Sequence, residues 1–165
     1  MAGFNRADKS HKRGFTYIEL VITLAIMAVL GLIAVPSITW QVQRQKEREL
    51  RDALIQIRSA IDSYKHASDV GRIPKNADAT GYPTRLQDLV NGVADQMSPD
   101  HRKLYFLRRL PPDPFAKDSN ADPASTWGLR SYASPPTAPA SGDDIFDVYS
   151  LSGKTGFNGI PYKDW

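Results

Sequence analysis

The longest hydrophobic feature of the chain runs from Phe15 to Ile38, broken only by Glu19, a few hydroxyls and Pro36. A helix rises about 1.5 Å per residue, so a run of this length can span the roughly 30 Å hydrocarbon core of a bilayer. A core helix can be equally apolar, but a chain of 165 residues has too little else to surround it. Past Trp40 the pattern turns periodic. Leu50, Leu54, Ile57, Ile61 and Tyr64 recur at spacings of four and three, while Arg48, Arg51, Asp52, Arg58, Asp62 and Lys65 take the other faces. The pattern predicts one helix from about Phe15 to about Ser68, ending near Gly71. Its stripe covers only about two heptads, so packing on a sheet of the same chain is favoured over a coiled coil.

Beyond the helix the pattern shortens. The stretch "DVGRIPKNADATGYPT" is dense in Gly, Pro, Asn and Asp and reads as loop. Thr84 and Gln87 have capping-box spacing before Leu86, Leu89 and Val90, with Gly92 beyond, which predicts a short helix. Ser98-Pro99 is read as the cap of another helix, reaching through Leu104, Phe106 and Leu107 toward Leu110 and stopped by "LPPDPF". "WGLRSYAS" and "DIFDVYS" predict two strands joined by the Pro-, Ala- and Ser-rich "PPTAPASGD". The end, "LSGKTGFNGIPYKDW", is rich in turns and aromatics, and there is no internal repeat. The expected fold is α+β: a long N-terminal helix, half for the membrane and half amphipathic, packed on a small antiparallel sheet in a head.

Charge changes this picture at one end. The net charge is +3, and residues 1–14 hold all of the excess through Arg6, Lys9, Lys12 and Arg13 against Asp8. A nucleic-acid binder concentrates its basic excess in the folded domain, so no nucleic-acid partner is expected. The basic cluster before the apolar run instead predicts an N-terminus kept in the cytoplasm, with everything after about Trp40 outside. "RQKERELR" is mixed in sign and competes weakly. A cleaved secretory signal ending near "AVPSITWQ" is the other reading, but the apolar run is long and continues into a helical pattern. No cysteine is present, which excludes disulfides, thiolate metal sites and a cysteine nucleophile.

At "KRGFTYIEL" basic residues, Gly14, Phe15, Glu19 and the apolar run coincide in order. This resembles the class III signal of type IV pilins and pseudopilins. The resemblance implies that a prepilin peptidase cuts between Gly14 and Phe15, that Phe15 is then N-methylated, and that the apolar helix stays as anchor. The implied segments are a cytoplasmic leader at 1–14, a transmembrane and assembly helix at 15–38, its amphipathic continuation at 39–70 and an extracytoplasmic head at 71–165. The implied location is the bacterial inner membrane, crossed once, with the head in the periplasm. Glu19 has two readings. An acid at a helix centre in the membrane costs about 2.5–3.5 kcal/mol, and near the start of the run it can snorkel to the headgroups. Alternatively it pairs with the freed amine of a neighbouring subunit and fixes axial register, the reading preferred here. Pro36 removes a backbone donor and is expected to bend or locally melt the helix.

"GYPTRLQDL", "LPPDPF", "WGLRSY" and "DVYSLSGKTG…W" narrow the likeness to the major, G-type pseudopilin of type II secretion systems. Two departures stand out: a long insertion between "DPF" and "WG", and a final loop poor in the acids with which that family binds calcium. Where the resemblance places those acids the chain offers Lys154, Thr155 and Asp164. Asp143, Asp144 and Asp147 are near in sequence, but strand alternation sends some of them to different faces. Calcium needs about six to eight oxygens, so no cofactor is expected, with calcium as the alternative.

Other chemistry is not legible. "SGKTG" lacks the first glycine of a phosphate loop, since Val148 occupies that place. His11, His66 and His101 lie apart, and no Gly-x-Ser-x-Gly motif exists. Phe106, Phe115, Trp127, Tyr132, Phe146, Tyr149 and Trp165 are expected in the core and rim of the head. The expected role is therefore a non-enzymatic subunit of a type II secretion filament. Its implied partners are further copies of itself, other pseudopilins, the prepilin peptidase, an inner-membrane assembly platform and membrane lipid. The alternatives are a type IV pilus subunit for adhesion, twitching or DNA uptake, and a signal-anchored extracytoplasmic enzyme or binding module.

Overall fold

The computed structural model describes residues 15–76, 78–100, 102–118 and 120–165, apart from the side chains of residues 32–38. The chain divides into two compact units, Met1–Val42 and Gln43–Trp165. One helix, α1 (Tyr17–Asp69), contributes to both. Its end is a Schellman motif. The amide of Arg72 donates to Ala67 O and that of Gly71 to Ser68 O, at 2.9 and 3.0 Å. The motif demands a left-handed residue, and Gly71 supplies φ +79°.

In the first unit the described side chains from Phe15 to Gly31 are all exposed, including Tyr17, Ile18, Leu20, Leu24, Met27 and Leu30. Among the described residues no helix is long and apolar enough to cross a membrane. The side chains that complete the sequence's apolar run, at 32–38, lie outside those described. α1 carries through position 36, so its helix is not interrupted at the proline.

The second unit is an α+β head with its core against α1. Leu50, Leu54, Ile57 and Ile61 are all but fully buried, and Tyr64 packs on the edge of the same cluster. Leu86, Leu89, Trp127, Ile145, Val148 and Tyr162 close over them. The predicted stripe is the buried face, and burying each of its aliphatic side chains contributes about 1.5–3 kcal/mol relative to exposure.

The short helix α2 (Asp88–Asn91) starts later than the sequence implies. Gln87 is itself helical, with φ −62° and ψ −26°, and no side chain caps the helix. The expected capping box is absent because Thr84 Oγ1 bonds Asp88 Oδ2 instead, at 3.4 Å. The helix expected after Ser98-Pro99 does not form either. Lys103–Leu104 is a strand, β2, antiparallel to β1 (Val93–Ala94). Phe106 and Leu107 then spend their amides on Leu89 O, at 3.0 and 2.9 Å, rather than on a helical ladder. Pairing across the turn outcompetes a propensity signal of this length.

Both C-terminal strands are where the pattern placed them. β3 (Trp127–Arg130) pairs antiparallel with β4 (Asp147–Ser150), matching Trp127 with Ser150 and Arg130 with Asp147. The "LPPDPF" segment is an Asp turn. Asp113 Oδ1 accepts from Phe115 N, its backbone amide donates to Thr126 Oγ1, and Ser150 Oγ donates to its second oxygen. The Trp127 indole donates to Pro111 O at 2.8 Å, tying that turn to β3.

Candidate functional site

The N-terminal motif is carried by the first turn of α1. Thr16 stands just before the helix, and its Oγ1 accepts from the backbone amide of Glu19 at 3.3 Å. That is half of a Thr-x-x-Glu capping box. Glu19 therefore sits in the first turn, where unpaired amides and the helix dipole favour an anion. Glu19 and Phe15 are both exposed, Phe15 at 84%. Gly14 and the basic residues before it lie outside the described residues.

A second constellation joins α1 to the C-terminal loop. Glu47 is 7% exposed, and its Oε1 accepts three bonds: from the Tyr162 hydroxyl at 2.8 Å, the Phe157 amide at 3.1 Å and the Gln43 amide group at 3.2 Å. Tyr162 is fully buried, stacked on Phe115 at 4.2 Å and edge-on to Trp165 at 5.0 Å. Burial and the bond to Glu47 push its hydroxyl up to about 12. Three turns further along α1, Arg58 donates to Asp147 Oδ1 at 2.8 Å, to Val148 O and to Trp165 O. Arg51 covers the Trp165 ring at 4.4 Å.

The loop these residues hold is narrow. Thr155 bridges Pro161, Gly156 N donates to Ile160 O at 2.9 Å, and Tyr162 N donates to Lys154 O at 3.1 Å. A Cβ on Gly156 would lie 2.4 Å from the Trp165 ring, so only glycine lets that ring close over the turn. "SGKTG" is thus part of a β-bridged loop followed only by a 3-10 turn, Tyr162–Asp164, and by no α-helix among the described residues.

Two of the aspartates weighed as ion ligands, Asp144 and Asp147, are engaged elsewhere. Asp144 is buried and accepts from Ser131 Oγ, Thr80 Oγ1 and Tyr132 N. Burial pushes its carboxyl up, but these bonds outweigh that and leave it below the usual range. Asp147 pairs with Arg58 and Arg130. Asp143 and Asp164 are exposed. No group of three or more metal-ligating side chains occurs among the described residues. A cavity of about 630 Å³ lies beside the loop, and its lining includes Lys46, Lys117 and Lys154 together with Asp113 and Asp118. His66 is on α1 near its end, and His101 lies outside the described residues.

Residues 9–35 match the prokaryotic N-terminal methylation motif. The type II secretion system core protein G of Klebsiella pneumoniae is 28% identical over 140 residues, covering 81% of this chain and 92% of its own. That of Dickeya chrysanthemi is 26% identical, over 81% and 84% of the two chains. Over about four fifths of its length the chain is thus similar to the type II secretion system core proteins G. A ComG operon protein 3 homolog of Bacillus licheniformis is also similar, 26% identical over 53% of this chain and 92% of its own. No solved structure gives a significant match.

Two features of the chain were not read from its sequence. Thr16 caps α1, a role signalled by its place three residues before Glu19. Glu47 anchors the C-terminal loop. Its signal was a charge on the apolar face, since Glu47, Leu50 and Leu54 follow one another at spacings of three and four.

Proposed function

We propose that this chain is a pseudopilin, a non-enzymatic structural subunit of a type II secretion filament, held by α1 in the inner membrane until it is assembled. The reading is carried by one observation: the methylation motif at residues 9–35 coincides with a capped, exposed helix start bearing Glu19. Prepilin peptidase removes residues 1–14, and the new Phe15 amine is methylated. Glu19 then pairs with the Phe15 amine of an adjacent copy as apolar helices leave lipid for one another, where low dielectric strengthens the pair. The assembly platform adds subunits from the inner-membrane side, and the growing fibre moves exported proteins outward.

The test is complementation of a type II secretion strain lacking its own G-type subunit. The parent chain should restore export and yield a mature mass beginning at Phe15. Gly14→Ala should leave the chain at full length and export abolished. Normal size and export in Gly14→Ala would reject the processing step. Long surface fibres without export would move the protein to the pilus reading.

A further inference from the structure

The family likeness brings with it a calcium ion in the C-terminal loop, and the residues present do not fit one. Calcium takes about six to eight oxygen ligands, several of them charged. The loop offers Lys154 and Thr155 where acids are needed, with Asp164 the one acid at those positions, and several of its oxygens are already engaged. Lys154 O accepts the Tyr162 amide, and Gly156 O that of Gly159. Ile160 O accepts from both Gly156 N and the Trp165 indole. Asn158 Oδ1 accepts the Ile160 amide. The cavity beside the loop places three lysines, Lys46, Lys117 and Lys154, against two aspartates. One of the two, Asp113, is committed to Phe115 N and Ser150 Oγ. The field there disfavours a divalent cation.

A loop rich in glycine and turns still has to be closed. We propose that the Glu47 carboxylate of α1 closes it in place of the ion, so that this chain holds its C-terminal segment without divalent metal. In a calcium-bound loop a cation gathers oxygens. Here an anion gathers donors, and the polarity is reversed: the Phe157 amide, the Tyr162 hydroxyl and the Gln43 amide group converge on one oxygen. Glu47 is on the buried face of α1 and Tyr162 is fully buried, so these are shielded, charge-assisted bonds. Arg58 and Arg51 hold the other end through Trp165. This closure of the loop is independent of the filament role.

The experiment uses the full-length chain in detergent micelles, with hydrogen exchange of peptides from 151–165 and thermal melting by near-ultraviolet dichroism. Calcium chloride and a calcium chelator should give superimposable melts and equal loop exchange. Glu47→Ala should accelerate loop exchange by about tenfold to a hundredfold, the scale of losing hydrogen bonds to a charged group. Should Glu47→Ala fail to fold, Tyr162→Phe removes one donor and keeps the ring, and should speed exchange several-fold with the protein folded. A melt lowered by the chelator, or raised by several degrees with calcium, overturns the proposal. So does unchanged loop exchange in both folded variants. Either result would leave the secretion reading intact, since export complementation tests that separately.

Discussion

Glu19 carries two loads that different substitutions separate. Its backbone amide is held by Thr16, so the helix start does not depend on the carboxylate. Glu19→Gln should therefore be inserted and processed normally, yet fail to enter filaments, read by cross-linking of neighbouring subunits. Glu19→Asp keeps the charge but shortens the reach, and should assemble poorly. Normal filaments from Glu19→Gln would mean that the side chain only reaches headgroups. Tyr162 makes a prediction of another kind. A tyrosine in an unfolded chain titrates near 10, and in the head its hydroxyl is pushed up to about 12. The folded-state value is the higher one. Its contribution is therefore complete below about pH 10 and is lost as pH rises toward 12. Stability to urea should fall across that window in the parent, and the fall should be smaller in Tyr162→Phe, which has already lost the bond at neutral pH.

Among the elements, α1 dominates because its buried stripe is the floor of the head. Ile57 is fully buried at its centre, and Ile57→Ala should lower stability by about 2–5 kcal/mol, measured by urea unfolding. The exposed Ile55, at 65%, should change it little when made alanine. The stripe, the end at Gly71 and both C-terminal strands were legible in the sequence because each rests on a strong periodic or glycine signal within one segment. The segment from Ser98 to Leu110 was not. Its apolar spacing suits a helix, but the amides of Phe106 and Leu107 are claimed by Leu89, a partner that only the fold brings near. Glu47 was missed for the same reason. Its donors in the loop lie 110 and 115 residues away, and no local pattern announces them.

For the molecule as a whole, the division after Val42 gives a concrete expectation. The fragment 43–165 contains every member of the core cluster, along with Glu47, Arg58 and Tyr162. It should fold alone and sediment as a monomer, because the exposed apolar face of residues 15–31 has been removed. An unfolded fragment would show that the head needs neighbouring subunits for its core. Aggregation of a folded fragment would point to exposed head residues such as Phe157 and Ile160 as a contact surface of their own.

The bond between Glu47 and Tyr162 also sets an order of events. The carboxylate leaves the ribosome 115 residues before the hydroxyl it accepts from. Closing so long a loop is entropically late, and contacts of this span slow folding. This closure of the head therefore waits until the Tyr162 segment has been made. Only a chain that includes Trp165 can be fastened at both ends, through Glu47 and through Arg58. A chain stopped after Ser150 would present an open α1 face, marking itself for proteolysis before it could join a fibre.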